Sequence, residues 1–386
     1  MNRPYGHTPI QKAFGKNDIY GVGYDPERAT RRPIKLGVIG AGGVAQSKYF
    51  PAVARLRMTW EQIEIAAFAE PRAVHAYKVE RIYGGTYYPD YREMLDGENL
   101  DGVIVLSPDH LHAEHTMACL EADLPVLVEM PIARGLEDAE RMCRAADERK
   151  LIFMTVANKR YSPPYRHAKQ AVEDGVIVRP ALFAGKFNLG YDNVDLFESA
   201  TIHLFDLARY FMGDVASVYC VGVNQYRRGT YPIDNATMTL QFASEAVGSL
   251  YTSSSALSFK PWERVEIYGD HRWIAVEDQY EMLIYGGETE PIRSWRPVVP
   301  HTLGFDEEFG GYMGIIENFA QAIRQKETPR VTGWDGYKAF EVLTAAQLSL
   351  CRKAPVSLPL AIPEDADQEV ADWFTTYEQK KSSGVS

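Results

Sequence analysis

The sequence predicts an α/β protein: an N-terminal, doubly wound parallel sheet followed by an α/β domain with a large open, mostly antiparallel sheet. Three observations carry this expectation. From Ile34 to residue 157, short apolar runs alternate with amphipathic helical stretches, the βαβ signature of a parallel sheet. From Ala181 to Tyr285, strand-like segments follow one another with a single helical interruption. The length of 386 residues gives room for two separate cores.

The elements follow in order. Residues 1–33 are rich in Gly, Pro, Tyr and charge and form an arm ahead of the first strand. Strands are expected at 34–39, 63–69, 102–106, 125–128 and 152–156, with helices near 73–82, 112–122 and 136–149. In the last helix Leu136, Ala139, Met142, Cys143 and Ala146 recur on one face. A second domain, 158–363, opens with strands at 181–188, 217–224, 236–242, 247–254, 262–268, 273–277 and 281–285. A helix at 199–212 interrupts them, and helices at 312–325 and 335–352 close the domain. The polar tail, 364–386, is expected to fray.

The first strand runs directly into Gly40-Ala41-Gly42-Gly43-Val44-Ala45, a Gly-x-Gly-x-x-Ala turn with a helix behind it. Gly40 permits the tight turn, Gly42 lets backbone N–H groups approach a pyrophosphate, and Ala45 lets helix and strand pack closely. Gly43 and Val44 complete the loop. Glu70 closes the next strand, where a carboxylate accepts hydrogen bonds from an adenosine ribose. It lies beyond the usual spacing of roughly 20 residues, and Arg57–Gln62 reads as a small insertion that makes up the difference. The charge of Glu70 repels a 2′-phosphate and favours NAD; Arg72 offsets that repulsion, so NADP stays possible.

Ligands of an open parallel sheet bind beyond the carboxyl ends of its strands. The later strands end in Ser107-Pro108-Asp109-His110-Leu111-His112, in Glu129-Met130-Pro131 and in Asn158-Lys159-Arg160-Tyr161. Ser107, Pro108, His112, Glu129, Met130 and Asn158 are therefore candidates for the nucleotide site. The run Asp109–His115 is histidine-rich, but at a strand end its side chains point several ways, so no metal is expected. His203 is the candidate base. Asp206 lies one turn further on, where i,i+3 residues meet, in a position to orient the ring and raise its basicity.

Together these motifs resemble the Gfo/Idh/MocA family: the glycine loop, Ser-Pro-Asp-x-x-His at Ser107–His112, the Glu-x-Pro turn at Glu129–Pro131, Asn158-x-Arg160, His-x-x-Asp at His203–Asp206, and Thr332-Gly333-x-Asp335-Gly336. The resemblance spans Ile34 to Leu360. It implies a Rossmann domain, a second domain whose open sheet forms subunit contacts, and hydride transfer between a sugar or cyclitol carbon and nicotinamide. The family's dehydrogenases usually carry a lysine inside the Glu-x-Pro turn, and here Met130 neither donates a proton nor holds charge. A family aspartate four positions before the histidine falls on Ser199, with Glu198 beside it. His203 is retained, and Lys159, Tyr161, Tyr191 and Glu198 are candidates for the missing groups.

Three functions remain open on this reading. The first is an NAD-dependent dehydrogenase of a secondary hydroxyl on a sugar, cyclitol or glycoside. The second is a redox-neutral glycoside hydrolase that oxidises, eliminates, adds water and returns the hydride. The third is a cofactor-binding sensor without turnover. The formal charge of −11 argues against a nucleic-acid partner. No apolar stretch suggests a signal peptide or membrane span, and the four scattered cysteines suggest reduced thiols, so a cytoplasmic protein is expected; the open sheet that the resemblance implies makes it a homo-oligomer, a dimer or tetramer. Phe14, Ile19, Tyr20 and Tyr24 make the arm too apolar for a free tail and suit it to pack on a neighbouring subunit or the cofactor cleft.

Overall fold

The computed structural model describes residues 32–58, 63–190, 194–225, 232–254, 262–287, 291–296, 306–325 and 327–382. The N-terminal arm up to residue 31 and Tyr191 lie outside them.

Six parallel strands form the first sheet, in the order β3-β2-β1-β4-β5-β6. They are β1 (Ile34–Ile39), β2 (Ile63–Ala69), β3 (Thr86–Tyr88), β4 (Gly102–Val105), β5 (Val126–Val128) and β6 (Phe153–Thr155). The order reverses between β1 and β4, which makes the crevice beyond their carboxyl ends the place for a ligand. The strands are apolar on both faces because helices cover both, as βαβ crossovers require. Val103, Ile104 and Val105 are wholly buried.

The second sheet has nine strands in the order β14-β13-β12-β11-β7-β10-β9-β8-β15. The sequence-derived strands became β7 (Leu182–Asn188), β8 (Val215–Val223), β9 (Asn235–Phe242), β10 (Val247–Ser253), β11 (Glu263–Tyr268), β12 (Trp273–Glu277) and β13 (Glu281–Tyr285). The short β14 (Arg293–Trp295) and β15 (Val356–Ser357) extend its two edges. Only β7 and β10 run parallel; the other pairs are antiparallel. Burial alternates along β9 and β10, so one face meets the helices Ile202–Met212 and Gly333–Arg352 while Val221, Val247 and Tyr251 stand exposed on the other.

The tail does not fray as expected: Pro363–Ser382 is a helix. Asp367 accepts the Leu136 backbone N–H at 2.6 Å, capping the helix Leu136–Arg149. Ala366 and Val370, one turn apart, are buried, and Arg352 pairs with Glu369. That i,i+4 apolar pair was the available sequence signal. Among the described residues no helix is long and apolar enough to cross a membrane.

Candidate active site

The glycine loop has the geometry its residue types call for. Gly40 has φ +98°, and a Cβ there would sit 2.6 Å from the Leu106 carbonyl oxygen, so only glycine fits. Above Gly43 there is open space, and above Gly42 only the Arg72 guanidinium comes near, at 3.6 Å. A pyrophosphate can therefore lie directly on the backbone. Ala45 is buried where helix meets strand, and Val44 is exposed beside the loop.

Glu70 ends β2 as expected, but its carboxylate is turned inward. One oxygen accepts the Ala41 N–H at 3.0 Å; the other accepts the Arg72 backbone N–H at 3.0 Å and its Nε at 2.8 Å. Burial works to raise its pKa, and these hydrogen bonds outweigh it, so Glu70 is held below the usual carboxylate value. The exposed Arg72 guanidinium stands over the loop beside it.

The loops after β4 and β5 are tied together by His112. Its two ring nitrogens face the carbonyl oxygens of Pro131 and Ser107, each at 2.8 Å. The imidazole thus braces the crevice wall. His115 Nδ1 lies 2.8 Å from Ser107 Oγ, Asp109 pairs with Arg134, and Pro108 opens the short helix Asp109–Leu111. Met130 packs against both apolar clusters of the molecule. It does not line the cavity described below.

Glu129 accepts the Tyr49 hydroxyl at 2.7 Å and the Met130 N–H at 2.8 Å. Burial nevertheless pushes its pKa up to about 7. Folding therefore favours the protonated carboxyl. Its contribution is intact below the unfolded value of 4.5 and is lost as pH rises toward about 7. In urea unfolding of the nucleotide-free protein, stability should decline over that window, and Glu129→Gln should flatten the decline.

Between the strand ends of the first sheet and the inner face of the second lies a cavity of about 560 Å³. The short helix Asn158–Tyr161, which leaves β6, supplies Asn158 and Lys159. The π-turn Phe197–Thr201 supplies Ser199, and the helix Ile202–Met212 that continues it supplies His203. Lys48 and Tyr312 contribute from the side of the parallel sheet, and Phe187 and Trp262 from the second sheet. Asp278, Gln279 and Tyr280, in the turn between β12 and β13, complete the wall. Sequence reasoning left these three residues between two strands and gave them no part in the site. Asp278 and Gln279 take positive φ values of 51° and 61°, a conformation whose usual markers, Gly and Asn, are absent.

Lys159 is only 3% exposed. Its Nζ bonds the carboxylate of Glu263, itself wholly buried, and lies 4.8 Å from the Phe187 ring centroid and 5.4 Å from that of Trp262. Glu263 also accepts from the Tyr165 hydroxyl and from Gln279 Nε2 at 3.2 Å. Burial pulls the Lys159 pKa down, and Glu263 works against that pull. Burial and the Lys159 charge push His203 down to about 3, so its imidazole is neutral. Asn158 donates to the Gly310 carbonyl at 2.7 Å while its Oδ1, buried at the cavity wall, has no partner among the described residues. The orphaned acceptor and the open loop fit a bound nicotinamide nucleotide.

Three expectations are corrected. Asp206 does not orient His203: both its oxygens are taken by Arg160, at 3.0 Å from Nε and 2.6 Å from Nη2. Helical adjacency brings Asp206 near, but a bidentate guanidinium is the stronger partner. Tyr161 points away from the cavity and donates to Asn318 at 2.8 Å. Glu198 faces a second cavity with Arg134, Asp195 and Asp367, where burial and then Asp195 push it up to about 8.

Comparison with known proteins matches this architecture. Residues 34–157 match the Gfo/Idh/MocA oxidoreductase family's NAD-binding Rossmann fold, and residues 197–358 match its C-terminal α/β domain. A myo-inositol 2-dehydrogenase of Thermotoga maritima is 28% identical over 339 residues, covering 84% of this chain and 98% of the relative. A levoglucosan dehydrogenase of Pseudarthrobacter phenanthrenivorans is 24% identical over 278 residues, covering 61% and 71%. Among solved structures, a levoglucosan dehydrogenase in complex with NADH superposes with a TM-score of 0.76 at 21% identity, covering 85% of this chain and all of that one. An NAD-binding oxidoreductase from Klebsiella pneumoniae gives 0.76 at 20% identity, with the same coverage. With both domain matches in register with the glycine loop and the His203 helix, the chain belongs to the Gfo/Idh/MocA family of NAD-dependent oxidoreductases.

Proposed function

We propose that this protein oxidises a secondary hydroxyl of a sugar or cyclitol. The observation that carries the reading is the placement of a neutral His203, the Lys159 cation and the orphaned Asn158 Oδ1 on one cavity that faces the strand ends of the NAD-binding domain. NAD, when bound, would supply the hydride acceptor. The chain's own residues do the rest. Gly40, Gly42 and Gly43 would present the backbone to the pyrophosphate, Glu70 and Arg72 would flank the adenosine ribose, and Asn158 would hold the nicotinamide end. His203, with no hydrogen-bond partner of its own among the described residues, takes the hydroxyl proton at a ring nitrogen.

The wall suits an uncharged polyhydroxylated ring. Trp262, Tyr280 and Tyr312 line it with aromatic rings for its C–H groups, and Asn188 and Gln279 add amide groups for its hydroxyls. The activities named for the inositol and levoglucosan dehydrogenase relatives support this class. The same reading assigns the uncovered face around Val221, Val247 and Tyr251 to contact between copies of the chain. The redox-neutral glycosidase reading loses one candidate acid, because the Tyr161 hydroxyl is committed to Asn318.

The test is absorbance at 340 nm with NAD and a panel of myo-inositol, scyllo-inositol, D-glucose and levoglucosan. Stoichiometric NADH formation with a panel member supports the reading. Release of aglycone from a nitrophenyl glycoside without net NADH replaces it with the hydrolytic one, and neither activity removes it.

A further inference from the structure

We propose that Lys159 contacts the reacting oxygen of the substrate and stabilises the alkoxide that develops there, with Glu263 as its positioning residue. This rests on the dehydrogenase reading and adds the group that handles charge. The observations join the stretch Lys159–Tyr165 to a strand far along the chain. Lys159 leaves β6, Glu263 begins β11, and Tyr165 lies on the helix Pro163–Glu173.

An ammonium has three N–H donors, yet Glu263 is the only hydrogen-bond partner of the Lys159 Nζ among the described residues. Its Nζ is flanked by two aromatic faces, and Lys159 lines the same cavity as His203. Glu263, by contrast, is well supplied. Tyr165 and Gln279 also donate to it, and its own backbone N–H is held by Asp278 at 3.1 Å. A carboxylate so fully satisfied holds the lysine in place and leaves the lysine's other donors for a ligand. Met130 is apolar and packed into both cores, so the turn after β5 supplies no cation to this space.

The step balances with these groups. The hydroxyl proton passes to a ring nitrogen of His203, the C–H bond breaks with its electron pair going to the nicotinamide, and the C–O bond becomes a carbonyl. Negative charge on oxygen rises when proton loss runs ahead of hydride loss, and a preorganised ammonium in a water-poor site stabilises that charge most in the transition state.

The experiment compares wild type with K159M, K159R, the double variant K159M/E263Q and K48M, using the panel member that wild type turns over. Lys48 is the other lysine of the wall and serves as the comparator. K159M/E263Q removes both buried charges, so it remains readable if K159M leaves Glu263 unpaired and the fold weakened. Expected are a fall in kcat of at least a hundredfold in K159M and K159M/E263Q with KM changed less than tenfold, and partial recovery in K159R. NADH affinity from fluorescence titration should stay within threefold of wild type in all variants. Turnover within threefold of wild type in K159M/E263Q, or a loss confined to K48M, overturns the assignment while leaving the dehydrogenase reading standing. Wild type inactive on the whole panel overturns both.

Discussion

His203→Ala lowers kcat by about 10²–10⁴-fold, the range lost when a positioned general base is removed, while NADH still binds. The size follows from the cavity. His203 has no hydrogen-bond partner of its own among the described residues, and Asp206, one turn along, is held by Arg160. Truncation therefore leaves the surrounding network intact and removes only the proton acceptor. Steady-state kinetics beside a fluorescence titration of NADH separates the two quantities. Because burial and Lys159 hold His203 at about 3, the pH profile of kcat/KM should show no imidazole inflection between pH 5.5 and 7.5. Retained turnover in the alanine variant, or an inflection that vanishes with His203, contradicts this account.

The second large effect falls on a residue with no chemistry. Gly311 has φ +81°, and a Cβ there would lie 1.9 Å from the Asn158 carbonyl oxygen and 2.9 Å from the Ser162 nitrogen. Gly311→Ala must therefore bear the left-handed backbone and displace the short helix that carries Asn158 and Lys159. Strain and overpacking together amount to roughly 3–5 kcal/mol, with turnover lost in whatever folds. Gly84→Ala is the control. It shares a positive φ, 79°, and with ψ −159° it bears backbone strain alone, because a Cβ there meets nothing within 4 Å, so it should cost roughly 1–3 kcal/mol. Urea unfolding of both variants gives the comparison; equal midpoints would show that the close approach does not matter.

The nucleotide half of the site is legible in the sequence because its logic is local. A tight turn and a close helix–strand contact fall at fixed spacings: Gly40 takes its positive φ and Ala45 its buried place, while the Glu70 carboxylate turns inward to Ala41 and Arg72. His203 is legible for a similar reason, standing at the start of a helix with a strong apolar face. The polar wall of the cavity is not local. Lys159 and Glu263 are 104 residues apart, and nothing in either neighbourhood marks the pair. Asp206 shows the same limit from the other side: a neighbour on the helix loses to an arginine 46 residues away. Gly311 left a faint sign, a Gly-Gly step just before an apolar helix, that reads as an ordinary boundary until the Asn158 carbonyl is seen beneath it.

Arg160 follows Lys159 in the chain and grips carboxylates from two helices, Asp206 on the one bearing His203 and Asp335 at the start of Gly333–Arg352. Ammonium and imidazole are thereby riveted to one frame. Whatever enters the cavity therefore meets both groups at a spacing set by that one guanidinium.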